Sequence, residues 1–172
     1  MNRIAVWFAL MLAFLVSGAF AQPSGAGSAC PPSTTLDELT KALDDAVSGP
    51  PDKDRACLRD LLLPEARLTP IRKQADSGFS PRILTVDDWI TAVRSHAGAA
   101  FYEHQIKVKS ETYGHFAHLW STYEIRPTPD GEAEVKGINS IQAVFDGKRW
   151  HVLSILWESD ATAGPVPERY LP

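Results

Sequence analysis

The spacing of apolar residues changes character twice along this chain. Ile4 to Val16 is an unbroken apolar run of 13 residues. Between Leu36 and Val93 the apolar positions recur three and four apart, the period of a helix with one buried face. Leu36, Leu39, Leu43 and Val47 form the first such stripe, and Thr35 with Glu38 has the spacing of a capping box at its start. Gly49-Pro50-Pro51 stops that helix. A second is predicted from about Asp54 to Leu63, with Leu58, Leu61 and Leu62 inward and Pro64 ending it. Arg67 to Ile71 reads as a short strand, and the polar stretch Arg72 to Leu84, with Gly78 and Pro81, as an exposed loop. A third helix starts at Thr85, with Asp88 three residues on. Its stripe is Val86, Trp89, Ile90 and Val93, and Gly98 lies past its end.

From Tyr102 onward the period becomes two. Strands are predicted over Tyr102 to Thr112, His115 to Arg126, Glu134 to Phe145 and Arg149 to Glu158. A Pro- and Gly-rich turn, Pro127 to Glu132, joins the second to the third. Asp146-Gly147 between the last two is a strong hairpin signal. Helices followed by a run of antiparallel strands predict an α+β domain, its helices packed on one face of a curved sheet. The final strand is apolar on both faces. Simple alternation sends Trp150, Val152 and Leu156 one way and Leu153, Ile155 and Trp157 the other. One face packs on the helices; a second copy of the chain or the C-terminal tail must cover the other.

The first apolar run identifies a compartment. Arg3 precedes it, Ser17-Gly18 breaks it, and Ala19-Phe20-Ala21 places small residues before Gln22, the pattern of a cleavable signal peptide over residues 1–21. The run is too short for a transmembrane span, which needs ~20 apolar residues. A lipoprotein anchored at Cys30 fits poorly, because Gly27 precedes it and it lies far past the run. The expected product is exported, periplasmic or secreted, without a stable membrane anchor. A linker over 22–34, the domain over 35–160 and an extended tail over 161–172 complete the organisation.

Export changes how the two cysteines read. In an oxidising compartment Cys30 and Cys57 are expected to pair. The bridge would close a loop of about 28 residues, worth roughly 3–4 kcal/mol in the chain-entropy model. Two separate buried thiols are the alternative.

Composition narrows function only by exclusion. The chain has 172 residues, 44% hydrophobic and 22% charged, an ordinary globular balance. Without the leader, which carries only Arg3, it has 16 basic against 21 acidic side chains, a net −5. An acidic domain with no basic run is a poor partner for nucleic acid.

Two stretches resemble a known family: Ala117-His118-Leu119-Trp120-Ser121-Thr122-Tyr123-Glu124, and Gly137-Ile138-Asn139-Ser140-Ile141-Gln142 followed by Asp146-Gly147-Lys148-Arg149-Trp150. With the order of elements, they are similar to the nuclear transport factor 2-like superfamily, which includes ketosteroid isomerase and the SnoaL-like cyclases. The resemblance covers about residues 35–158. It implies a cone-shaped half-barrel with an apolar pocket, and often a homodimer. Ketosteroid isomerase uses a tyrosine and acidic groups in its pocket, but the first helix here has no Tyr, Trp or His.

The candidate chemistry is sparse. His115 and His118 are an odd number apart on one strand, so their side chains point to opposite faces and cannot share an ion; no metal site or cofactor is expected. Phe116, His118, Trp120, Thr122 and Glu124 share a face. His118 is the candidate acid/base, but Glu124 is about 20 Å away along the strand. Partners would have to come from neighbouring strands: Asn139, Gln142, His151 or Glu158. Candidate ligand contacts are Trp120, Glu124, Asn139 and Gln142. The competing reading, preferred for His118 and Trp120, makes them core or interface residues. Tyr102, Glu103 and His104 could ring a pocket mouth, but are read as solvated edge residues. Trp89 is expected in the core, and His96 at a helix C-terminus. Three functions remain: a module binding a small apolar or aromatic molecule, which is preferred; a metal-independent isomerase, dehydratase or cyclase; and a protein-interaction domain.

Overall fold

A computed structural model describes residues 30–95 and 99–172. The predicted signal peptide, most of the predicted linker, His96 and Gly98 lie outside the described residues. The predicted capping box forms. Helix α1 (Leu36–Val47) starts where the Glu38 amide donates to Thr35 Oγ1 at 3.1 Å and the Thr35 amide donates to Glu38 Oε2 at 3.1 Å. Asp37 and Glu38 also put negative charge on its first turn, where the helix dipole favours it. Helix α3 (Val86–Ser95) repeats the device with Thr85 and Asp88. Leu39, Leu43 and Val47 from α1 and Val86 and Ile90 from α3 are buried in one core with sheet residues Leu119, Ile141, Val152 and Ile155. At about 1.5–3 kcal/mol per buried aliphatic side chain, these stripes are the main force holding the helices on the sheet.

Helix α2 (Ala56–Leu61) is two residues shorter at each end than its apolar spacing predicts, because Leu62 is already extended. Leu63 precedes Pro64, and a residue before proline disfavours the helical conformation. Strand β1 therefore runs Leu62–Lys73, well beyond Arg67 to Ile71, with a register irregularity between Leu62 and Arg67 that accommodates the exposed proline. Part of the predicted loop over 72–84 is also a strand. β2 (Phe79–Pro81) pairs antiparallel with the end of β1, matching Ile71 to Pro81 and Lys73 to Phe79.

The remaining strands are β3 (Tyr102–Tyr113), β4 (Phe116–Arg126), β5 (Val135–Phe145) and β6 (Trp150–Ser159). They complete an open six-stranded sheet in the order β2-β1-β6-β5-β4-β3. Only β1 and β6 pair in parallel. The predicted α+β class holds, with α1 and α3 on the concave face.

The last strand corrects the simple alternation. A bulge skips Leu153, pairing Ser154 with Gln142 but Val152 with Ala143. One extra residue reverses the side-chain phase. Val152 and Ile155 are consequently both core residues, while Leu153 and Leu156 stay 41% and 44% exposed.

Three tethers close the domain. Cys30 and Cys57 form the expected disulfide, tying the segment before α1 to α2. Ser33, fully buried, accepts at its carbonyl from the Trp150 amide at 2.8 Å and donates its hydroxyl to the Trp150 carbonyl at 2.9 Å. Arg55, also fully buried, donates to the carbonyls of Val47, Pro50, Pro51 and Lys53 and lies over the Trp89 ring. It thereby satisfies carbonyls that the end of α1 leaves open. The tail, α4 (Asp160–Ala163) followed by a 3₁₀ turn at Glu168–Tyr170, folds back on the outer face of the sheet. Thr122 Oγ1 donates to the Tyr170 carbonyl at 2.6 Å, Lys107 Nζ to that of Leu171, and the Tyr170 ring sits 5.8 Å from Trp120.

Candidate functional site

Curvature of the sheet against α1 and α3 leaves a cavity of about 380 Å³ on the concave side. Its walls are mostly apolar, Leu68, Leu84, Trp89, Phe101, Ile155 and Trp157 among them. Strand periodicity brings Leu68, Pro70 and Arg72 to it from β1, and Ile155 and Trp157 from β6. Among the described residues the polar contributors are four: Arg72, Arg82, Glu103 and Asn139.

Glu103 is built in from three sides. Its backbone is fixed by Ser48 at the end of α1, whose Oγ accepts from the Glu103 amide at 2.8 Å. Its carboxylate accepts from Gln105 Nε2 at 2.8 Å and from Asn139 Nδ2 at 3.1 Å. Gln105 is the hub: its own amide donates to Asp44 Oδ2 at 2.9 Å, and its side-chain carbonyl accepts from the buried Ser121 hydroxyl. Asp44 Oδ1 is buried with no hydrogen-bond partner among the described residues.

Two carboxyls thus share a poorly solvated corner. Burial, then the neighbouring Asp44 charge, pushes Glu103 up to about 7, against the pull of its bonds to Asn139 and Gln105. Burial likewise raises Asp44 to about 6, opposed by its Gln105 bonds. Tyr123, one strand over, is held above its ordinary value by burial and then by the Glu103 charge. Its ring crosses Gly137, where a Cβ would come within 2.4 Å of the phenol oxygen. A carboxyl that exchanges its proton near neutrality, recessed in an apolar cavity, can accept a proton from a bound molecule or hold one of its hydroxyl or amine groups.

The candidates read from sequence are divided between the two faces of the sheet. Asn139 lines the cavity. His118, Trp120, Glu124 and Gln142 lie on the outer face and are not among the residues around it. There His118 Nε2 is 3.1 Å from Ser140 Oγ, Trp120 packs on the tail, and buried Glu124 accepts from the Arg126 guanidinium. His151 bonds Asp146 at the last hairpin. The edge reading of Tyr102, Glu103 and His104 is corrected: all three are half-buried, and Glu103 faces the cavity because the end of α1 crosses over it. Trp89 is partly buried, as much cavity wall as core.

No protein-family model matches the chain, and no curated protein matches it. Solved structures do. A protein from Nostoc punctiforme described as having a cystatin-like fold superposes with a TM-score of 0.56 at 9% identity, over 74% of this chain and 95% of that one. A nuclear transport factor 2-like protein from Shewanella baltica gives 0.50 at 9% identity, over 72% and 90%. This is the nuclear transport factor 2-like fold. A Kribbella flavida protein shares it, with a TM-score of 0.51 at 15% identity over 72% and 87% of the two chains. The nuclear transport factor 2-like cone explains why the cavity lies between the helices and the concave face, the side away from His118. At these identities the likeness carries the fold alone, and the chemistry must come from this chain's own residues.

Proposed function

We propose that this is an exported small-molecule-binding domain whose ligand, an apolar or aromatic compound, occupies the concave cavity. The observation that carries the reading is the cavity itself: apolar walls rich in Trp and Phe, with a few convergent polar groups, the usual make-up of a ligand site. The leader-like N-terminus and the Cys30–Cys57 bridge support export. The neutral fluorescent probe N-phenyl-1-naphthylamine tests the cavity. The wild-type protein is expected to take it up at micromolar concentration. Ala92→Trp, which fills the cavity from α3, is expected to abolish uptake while leaving the melting temperature within a few degrees. No uptake, or uptake indifferent to the filled cavity, would overturn the reading.

A second reading rests on Glu103. A carboxyl poised near neutrality beside Asn139 fits metal-independent proton transfer, as in an isomerase, dehydratase or cyclase. Glu103 then replaces His118 as the residue to test, and turnover lost in Glu103→Gln with retained probe binding would favour the enzyme. Self-association belongs to the proposal as well. Phe116, Leu153 and Leu156 remain exposed on the outer face beyond the docked tail, an apolar surface for a second copy.

A further inference from the structure

The cavity's charges are unbalanced. The chain carries a net −4, yet among the described residues the cavity's charged lining consists of two arginines and one carboxyl. Arg72 follows Leu68 and Pro70 on the inward-facing phase of β1, and Arg82 enters from the far side of the β1–β2 hairpin, its amide bonded to the Pro70 carbonyl at 2.9 Å. Elsewhere Arg59, Arg126 and Arg149 each hold a carboxylate. Neither Arg72 nor Arg82 forms an ion pair among the described residues.

The acidic groups nearby are otherwise committed or more remote. Asp88 feels Arg82 weakly, but its carboxylate is bonded to the Thr85 hydroxyl and amide. Glu158 and Asp160 act, with Arg72, on the Tyr123 phenol. Glu103 belongs to β3, at the opposite edge of the sheet from β1 and β2. Three strands lie between β1 and β3, so four inter-strand spacings separate Arg72 from the carboxyl edge, ~19 Å along a flat sheet and less across a curved one. Between them lie the Trp157 and Ile155 side chains of β6. The cavity therefore has a cationic end, an aromatic middle and a hydrogen-bonding end.

Building on the binding function proposed above, we propose that the ligand is an amphiphilic organic anion, a ringed apolar body ending in a carboxylate or sulfonate, whose charged group is held by Arg72 and Arg82. Guanidinium groups suit such oxyanions because they present planar paired donors. Both arginines are exposed at the cavity's mouth and so accessible, while the apolar body supplies the burial.

The test compares two probes with one aromatic skeleton: anionic 1-anilinonaphthalene-8-sulfonate and neutral N-phenyl-1-naphthylamine. With wild-type protein at low salt, the anion is expected to bind about tenfold more tightly, an advantage that shrinks as salt screens it. In the double variant Arg72→Gln/Arg82→Gln the ratio of the two affinities is expected to fall to near one. Circular dichroism and the melting temperature check that the variant is folded. The single variants then apportion the effect. If both probes enter equally, or the ratio survives the double variant, the anion inference fails and the cavity reading stands. If neither enters, both fail.

Discussion

Replacing Glu103 by Gln removes a charge without removing the side chain's bulk or its acceptor oxygen. Burial and Asp44 raise the carboxyl from 4.5 to about 7 in the folded protein. An unfolded chain releases that proton near 4.5, so between the two values the folded state binds more protons. Stability then falls as pH rises, by about 1.4 kcal/mol per unit of difference, or about 3 kcal/mol in all above pH 8. Below pH 4 both states are protonated and the cost vanishes. Glu103→Gln should therefore match the wild type near pH 4 and exceed it by up to about 3 kcal/mol at pH 8.5, roughly 10 °C in melting temperature for a domain of this size. Urea denaturation at both pH values reads the difference. Parallel stability curves for the two proteins across this range would mean that Glu103 is well solvated and that the cavity corner is not as described.

Gly137→Ala should destabilise the domain by about 1–3 kcal/mol, since its Cβ meets the Tyr123 ring and the Glu158 carbonyl together; chemical denaturation with the urea slope unchanged measures it. Arg55→Met should lower stability by about 3 kcal/mol by leaving four carbonyls without their donor, and a neutral effect would mean that water replaces the guanidinium. Reduction of Cys30–Cys57, or Cys57→Ser, should lower stability by roughly 3–4 kcal/mol without changing the far-ultraviolet spectrum. Sedimentation of the full chain should show a dimer at high micromolar concentration, and Leu156→Glu should dissociate it; a monomer at that concentration would mean that the tail alone suffices on the outer face.

Features specified by neighbours in sequence could be read directly. The capping box of α1, the α1 and α3 stripes and the Asp146-Gly147 turn, where Asp146 Oδ1 accepts from the amides of Lys148 and Arg149, need only a few consecutive residues. What escaped depends on distant pairing. The full length of β1 is set by its parallel partner β6, about ninety positions later, and three-residue β2 is too short to show a period. The bulge at Leu153 reverses a phase that the alternation of Val152 to Trp157 had fixed the other way. Glu103 is the instructive case. Its neighbours Tyr102 and His104 are amphipathic, so the triplet reads as an edge, and only Ser48 and Asp44 crossing from α1 bury it. A local signal did exist: Asp44 follows Leu43 within the apolar stripe of α1, an acid placed where a helix faces its core.

The two faces of the sheet divide the work, and their residues show how. On β4 the inward phase carries Ala117, Leu119, Ser121 and Tyr123, small or aliphatic at the packed end and polar toward Glu103. The outward phase carries His118, Trp120, Thr122 and Glu124, each engaged by a neighbour on the same face: Ser140, Tyr170, the Tyr170 carbonyl and Arg126. A strand read alone offers the outward set as the richer chemistry, because it holds the histidine and an acid. Burial inverts that ranking. The Glu124 carboxyl, paired with Arg126, is already neutralised, whereas Glu103 has no cation bonded to it among the described residues and faces an apolar volume. Only the second must change its protonation or its partner when a molecule enters, and that makes the concave face, rather than the histidine-bearing one, the place where binding and proton transfer can be coupled.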